Sequence, residues 1–129
     1  MLFHKDFDGL VIQISHKGID VINDDGRFVE VEVGAGENWH EFVLYTIDNG
    51  WGGVENLSLI PGCVGASPMQ NIGAYGIEII DVLLYVEAIN LEAIPAASIR
   101  RLTWSALEMV DLLEDVEFPL VGILARRLW

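Results

Sequence analysis

Apolar and polar residues alternate along the N-terminal part of the chain. Phe28–Val33 carries a valine at every second position with glutamates between them, which predicts a strand with one apolar face. Two earlier apolar runs, Gly9–Ser15 and Ile19–Ile22, are also predicted to be strands. The segment Asn23–Gly26 predicts a hairpin turn, because Asn, Asp and Gly tolerate the positive φ angles that such turns need.

The apolar spacing changes to that of a helix after the break Gly34–Gly36. Glu37–Asn49 is predicted to be helical, because four apolar residues fall on one stripe: Trp39, Phe42, Val43 and Ile47. Glu37 suits the positive N-terminal end of this helix. Gly50 suits the position just after its last residue.

Val54–Gly76 is an apolar segment interrupted by glycines, a composition unlike that of a surface loop, a strand or a helix. Glycine permits close backbone approach and positive φ, so we expect this segment to wrap around a flat, buried ligand. Pro68 is predicted to open a short helix with Ser67 as its N-cap. The chain has no Lys or Arg between Arg27 and Arg100, so a phosphate bound here would depend on backbone N–H groups and helix N-termini.

The C-terminal third carries a weaker pattern. Asp81–Asn90 is predicted to be a strand that pairs with Ser98–Thr103, and Trp104–Glu114 is predicted to be a helix. The apolar segment Val116–Trp129 contains Pro and Gly and gives no assignment. Strands joined by hairpins, with a helix between them, indicate an α+β fold.

Composition narrows the class of protein and its partners. The 129 residues are enough for one modest domain. A net charge of −13 disfavours nucleic acids and anionic membranes as partners, and the apolar runs are too short to span a bilayer. Met1–Asp6 lacks the features of a signal peptide, and the single Cys63 fits a reducing cytoplasm. The three histidines show no ligand spacing, so we expect no metal site, and the sequence leaves the oligomeric state open.

Four segments carry a longer, ordered pattern: Val33–His40, Gly53–Leu57, Ile60–Pro68 and Gln70–Gly76. Through them the chain resembles the UDP-N-acetylenolpyruvoylglucosamine reductases, also called UDP-N-acetylmuramate dehydrogenases, from about residue 2 to about residue 92. The resemblance implies part of an FAD-binding domain of the vanillyl-alcohol-oxidase (PCMH) type over residues 1–92. Residues 93–129 would be a divergent tail.

The resemblance also implies a reaction. NADPH would reduce FAD, and the reduced flavin would convert the UDP-sugar substrate, UDP-N-acetylglucosamine enolpyruvate, to UDP-N-acetylmuramate during peptidoglycan precursor synthesis in the cytoplasm. No catalytic residue is expected in this chain, because the family's catalytic serine and glutamate belong to a later substrate domain. The expected cofactor-binding residues line the flavin and its pyrophosphate; they are Ile60, Pro61, Gly62, Val64, Gly65, Ala66, Ser67, Gln70, Asn71, Gly73, Ala74 and Tyr75.

Three departures from the family pattern affect the interpretation. The family's Gly-rich phosphate turn precedes the position of Met1, and its Phe-Gly-Tyr-Arg-Asp-Ser motif is replaced near Leu107–Asp111. The third departure is that this chain does not contain the family's substrate domain. These departures predict a fragment of the flavoenzyme, inactive alone, with a tail translated in a shifted reading frame. The alternative is a non-catalytic acidic α+β module that kept the scaffold. A flavin-tethering oxidase of the same superfamily is disfavoured, because no His flanks the loop.

Four side chains in or near the loop have less specific expectations. His40 is expected to face solvent or to cap a backbone group rather than to act in catalysis. Glu55 and Asn56 are expected to make structural hydrogen bonds. Cys63 is expected to be a small packed residue.

Overall fold

The computed structural model describes residues 5, 6, 8, 9, 11, 13–90, 99–103 and 116–127, with backbone alone for 88–90, 99–103, 116–124 and 126–127. In this part of the chain, six strands form one antiparallel sheet in the order β1-β2-β8-β6-β7, with β3 paired to β8. The elements are β1 Ile19–Asp24, β2 Phe28–Gly34, α1 Trp39–Asp48, β3 Trp51–Gly52, α2 Ser67–Gln70, β4 Gly73–Ala74, β5 Ile77–Glu78, β6 Leu83–Asn90, β7 Ile99–Thr103 and β8 Val116–Arg127. This mixture confirms the predicted α+β class.

The hairpin of β1 and β2 forms as the alternating pattern predicts. Its turn is held by the Asp25 carboxylate, which accepts the N–H groups of Arg27 and Phe28 at 2.8 and 2.6 Å. Gly26 adopts a φ of 84° within this turn. Those two N–H donors lower the pKa of Asp25 below its ordinary value.

The strand predicted over Gly9–Ser15 is wrong at the residues of that stretch that the structure describes: 9, 11 and 13–15 lie outside any strand. The backbone around His16 and Gly18 instead packs against the end of β2 and the turn after it. Gly34 N–H donates to Gly18 O and Gly36 N–H donates to His16 O, both at 2.8 Å. A Cβ on either of these two glycines would lie 2.6–2.9 Å from backbone atoms of residues 15–17. Close backbone packing against a turn thus replaces the regular pairing that an apolar run suggested.

Helix α1 begins at an Asn cap and buries one stripe. The Asn38 side chain accepts the Glu41 N–H at 3.1 Å, whereas Glu37 lies outside the helix and accepts the Gly18 N–H. The prediction that Ile47 is buried is wrong: it is 42% exposed, and Thr46 is buried instead. At 3.6 residues per turn, residue 46 projects about 20° around the helix axis from the direction of residue 39, the first residue of the stripe, and residue 47 projects about 80° from it. The Thr46 hydroxyl donates to Val43 O, which makes its burial tolerable.

The unassigned C-terminal segment forms the central strand. β8 pairs with β2 from Gly34↔Leu120 to Phe28↔Arg126 and with β6 on its other edge. The register of β8 and β6 shifts between Glu87 and Ile89, beside Pro119, whose missing N–H such an irregularity accommodates. The predicted pairing of β6 with β7 is confirmed, while the helix predicted over Trp104–Glu114 lies outside the described residues.

One face of the sheet carries the core. The valines of β2 are 0–1% exposed and pack with Trp39, Phe42 and Val43 of α1 and with Ala125 of β8. On the opposite face, Tyr85 Oη donates to Glu32 Oε2 at 2.8 Å, and Gly122 is the β8 residue that pairs with both.

Candidate functional site

The glycine-rich loop starts from two anchors on α1. Trp39 Nε1–H donates to Leu57 O at 2.7 Å in the core, and this carbonyl ends a single 3-10 turn at Glu55–Leu57. Two residues later, Leu59 N–H donates to His40 Nδ1 at 3.3 Å. The Glu55 carboxylate accepts the Gly53 N–H, a structural hydrogen bond of the kind predicted for it.

The middle of the loop is fastened to the turn that precedes α1. Trp39 N–H donates to Gly62 O at 3.1 Å, and Val64 N–H donates to Glu37 O at 2.9 Å. Gly65 N–H donates to Ala35 O at 2.9 Å. A Cβ on Gly65 would lie 2.6 Å from Ala35 Cβ, so glycine is needed here for contact with the protein itself.

The short helix α2, which follows these contacts, differs from its prediction in one respect. Pro68 lies in its first turn as predicted, but Ser67 is not the N-cap; that position is Ala66. The Ser67 hydroxyl is 2% exposed and donates to Val64 O at 2.7 Å. The cause is the 3-10 turn Val64–Ala66, which runs directly into α2 and leaves no extended residue to cap it.

Next to this helix, the chain lines an open concavity of about 530 Å³. The β4–β5 hairpin forms one side of it, and a 3-10 turn at Ile79–Asp81 forms the other. Its lining residues are Asn71, Gly73, Ala74, Gly76, Ile77, Glu78 and Asp81. Tyr75, at the tip of the hairpin, is 91% exposed.

Backbone strain is concentrated in this same loop. Among the described residues, three that are not glycine have positive φ: Leu59 (64°), Asn71 (42°) and Tyr75 (55°). Such conformations cost about 1–3 kcal/mol each for ordinary residues, although Asn tolerates them better. Strain that the surrounding contacts maintain is a common property of binding sites.

Within the loop, the charged side chains are confined to Glu55 at its start. The sequence from Asn56 to Ile77 carries no charged residue, whereas Glu78 and Asp81 lie at the concavity. These two acids form a reciprocal capping box, in which Glu78 N–H donates to Asp81 Oδ2 at 2.9 Å. On the far side of the loop, the Gly18 N–H and then Lys17 hold the pKa of Glu37 below its ordinary value, against the opposing effect of burial.

The predicted cofactor residues fall into two groups in space. Asn71, Gly73 and Ala74 line the concavity, with Tyr75 at its edge. Within Ile60–Ser67, Gly62, Val64 and Gly65 instead hydrogen-bond to the first residue of α1 and to the turn before it, while Pro61 is exposed. Sequence reasoning missed the lining residues Gly76 to Glu78 and Asp81, and the signal for them was the Tyr-Gly pair that reverses the chain between β4 and β5.

The backbone N–H groups of residues 64–66 already donate hydrogen bonds within the protein. The N–H groups of Val64, Gly65 and Ala66 donate to Glu37 O, Ala35 O and Cys63 O at 2.9, 2.9 and 3.1 Å. These three donors are therefore engaged within the protein, and a phosphate bound here would depend on other backbone N–H groups of the loop.

The described part of the chain lacks two further features. It contains no group of three or more His, Cys, Asp or Glu residues that could hold a metal ion. Among the same residues, no helix is both long enough and apolar enough to cross a membrane.

Comparison with known proteins assigns the family. The family model described as "FAD binding domain" matches residues 2–93, a range that includes the whole loop and the concavity. The chain belongs to this family. The match confirms the predicted FAD-binding domain over the corresponding part of the chain.

Its curated relatives are reductases by name. The chain is 60% identical over 92 residues to the UDP-N-acetylenolpyruvoylglucosamine reductase of Flavobacterium johnsoniae, covering 71% of this chain and 27% of the relative. It is 54% identical over 91 residues to the reductase of Amoebophilus asiaticus (70% and 27%) and 52% identical over 91 residues to that of a Psychrobacter species (70% and 24%). The chain thus spans about a quarter of the length of these relatives.

The geometry distinguishes two parts of an FAD molecule. The concavity has the size of a small-molecule site and presents an amide, exposed backbone and apolar side chains, which suits an uncharged ring. Its two carboxylates are unsuited to a diphosphate, because like charges close together repel. The residues present therefore fit the ring of FAD better than its phosphates.

Proposed function

We propose that this chain forms part of the FAD-binding site of a UDP-N-acetylenolpyruvoylglucosamine reductase of peptidoglycan precursor synthesis. The observation that carries the proposal is the family match over residues 2–93, which contains every residue of the strained, uncharged loop. The family's reaction, by resemblance, uses NADPH as the hydride donor and a UDP-sugar as the acceptor, in the cytoplasm.

In this proposal, the chain binds and orients the cofactor and contributes no reacting group. Asn71, Gly73 and Ala74 contact the flavin, and Tyr75 covers the edge of the site. The segment Ile60–Ser67, together with Gln70 next to Gly62, forms the fixed wall that sets the position of the concavity. Bound FAD supplies the hydride transfer from NADPH to the enolpyruvyl double bond, and donors outside residues 64–66 hold its phosphates.

FAD titration of the full chain tests the proposal. We expect quenching of flavin fluorescence and a structured visible spectrum on binding. Asn71→Asp keeps the shape and the tolerance of positive φ but adds a negative charge at the concavity, so the Kd for anionic FAD should rise several-fold and the effect should weaken in high salt.

Asn23→Asp is the matched control, since it adds the same charge on the exposed strand β1. It should leave the Kd unchanged. Free-flavin fluorescence that stays unchanged at high protein concentration contradicts the proposal, as does an equal effect of both substitutions.

A second candidate, a non-catalytic acidic α+β module, is favoured by two observations. The N–H groups of Val64, Gly65 and Ala66 are satisfied within the protein, and the net charge is −13. Such a module needs no ligand to complete the loop. A stable monomer whose melting temperature is indifferent to FAD, NADPH and UDP-sugars would support this candidate.

A further inference from the structure

We propose that His40 is a positioning residue for the candidate flavin loop, acting through the backbone of Leu59. The inference rests on the proposed function for its effect on FAD, but its structural part concerns the chain alone. In this inference, the His40 imidazole holds the loop in the strained conformation that binds the ligand, and that conformation therefore depends on pH.

The contact lies where the loop needs an external constraint. Leu59 has a φ of 64°, a conformation unfavourable for a branched, bulky side chain, and its side chain is 76% exposed. Packing of the Leu59 side chain therefore cannot hold the backbone in place. The neighbouring restraints are the Trp39–Leu57 hydrogen bond and the bond from Leu59 N–H to His40 Nδ1.

Two consecutive residues of α1 thus restrain two loop residues that are two positions apart. Trp39 is buried and donates, and His40 is half-buried and accepts. Because α1 is rigid, the pair fixes the direction in which the chain leaves Leu57 and enters Ile60, the first expected cofactor residue.

The chemistry of the imidazole makes this restraint conditional. Nδ1 accepts a hydrogen bond only when it is unprotonated, so the neutral ring carries its proton on Nε2. In the imidazolium both ring nitrogens are donors, and the Leu59 N–H then faces another N–H. Protonation of the ring should therefore release Leu59.

The groups around His40 do not compete for this role. On its own element, Glu41 follows it in the first turn, where its backbone N–H bonds the Asn38 cap. Glu37 before the helix bonds Lys17 and Gly18, and Glu55 bonds Gly53. The loop from Asn56 to Ile77 carries no Asp, Glu, Lys, Arg or His that could compete.

The test compares the wild-type chain with His40→Asn and His40→Leu from pH 5 to pH 8. The Asn Oδ1 lies close to the position of Nδ1, so His40→Asn keeps an acceptor that does not titrate. His40→Leu removes the acceptor at every pH. His16→Asn, which changes an exposed histidine outside the loop, is the control.

Two readouts separate the inference from the proposed function. By NMR without FAD, the Leu59 amide resonance of the wild type should move with the protonation of the His40 ring, and that of His40→Asn should stay constant. In FAD titrations, the wild-type Kd should rise about three- to tenfold from pH 8 to pH 5, the range expected for one hydrogen bond. His40→Asn should show the low Kd at both pH values, and His40→Leu the high one.

The outcomes are distinct. A Leu59 amide resonance that ignores the protonation of His40 overturns the inference, even if FAD binds. A His16→Asn variant that abolishes the pH dependence also overturns it. If Leu59 follows His40 but no variant binds FAD, the positioning contact stands and the proposed function fails.

Discussion

At the residue scale, Gly65 shows how a motif can be retained for packing as well as for ligand contact. Its position leaves no space for a methyl group, because Ala35 Cβ lies where that group would come within 2.6 Å. Its N–H is used by Ala35 O. The glycine therefore joins the loop to the turn before α1, and its effect on a ligand is indirect.

Gly65→Ala should reduce the free energy of unfolding by about 1–3 kcal/mol, the usual cost of overpacking a close contact. Ala35→Gly removes the opposing methyl group, so the double variant should recover part of the loss. Urea denaturation of the four chains measures the coupling energy between the two positions. Additive losses would show that the contact does not exist as described.

A second residue-scale prediction concerns the carboxylate of Glu37. The Gly18 N–H holds its pKa below the ordinary value of 4.5 in the folded chain, so the stability it contributes is present above pH 4.5 and is lost as the pH falls through the lowered pKa. Glu37→Gln should therefore flatten the fall of stability on the acid side of pH 4.5. Thermal unfolding against pH measures this fall.

Asp20→Asn is the control for Glu37→Gln, because it removes an exposed acid from β1. It should leave more of the acid-side slope intact. A slope that Glu37→Gln and Asp20→Asn change equally would show that net charge, not the Gly18 contact, causes the effect.

At the element scale, α1 is the support of the candidate site. Its first two residues hold Leu57 and Leu59, and the Trp39 N–H also bonds Gly62 O. The helix can do this because it is anchored in the core through Phe42, Val43 and Thr46, which lie on the same buried stripe as Trp39. Any change at the start of α1 should therefore reach the loop.

Asn38→Ala removes the cap that begins α1 and should cost about 1 kcal/mol of stability. Asn38→Asp retains the capping oxygen and should be nearly neutral. Denaturant unfolding gives the stability, and amide exchange of Glu41 and Leu59 reports whether the loop loosens with the cap. Equal stabilities of the Ala and Asp variants would contradict the capping role.

At the scale of the whole molecule, the sheet depends on its last strand. β8 lies between β2 and β6, and β3 pairs with its end. The segment expected to be a divergent tail therefore contributes the centre of the sheet through residues 116–127. Whether this segment is read in a shifted frame stays a prediction, which translation of the parent DNA in its other frames tests.

Ending the chain before Val116 should abolish cooperative unfolding, because β2 and β6 lose their shared neighbour and the core loses Ala125. A chain that ends at Arg127 keeps β8 and is the control. Thermal denaturation followed by near-UV circular dichroism compares them. A sharp transition in the shorter chain would show that β8 is dispensable for the fold.

The local elements of the first half could be predicted because their signals are local. The alternation in β2, the turn at Gly26 and the C-terminal Gly50 of α1, whose φ is 71°, follow from side-chain period and backbone freedom. The loop was recognisable for a similar reason, since no regular element has its composition. Ile47 was misassigned because apolar spacing alone does not decide whether residue 46 or residue 47 ends the buried stripe.

Sequence alone thus determined the α+β class, the order of the first elements, the family resemblance and the extent of the loop, since each depends on neighbours in the chain. Tertiary structure alone decided that β8 is central, that Ala66 and not Ser67 occupies the N-cap position of α2, and that Gly65 and the N–H groups beside it make contacts within the protein itself. These outcomes depend on which distant groups meet. A backbone donor or an apolar strand carries no mark in the sequence of the partner that satisfies it.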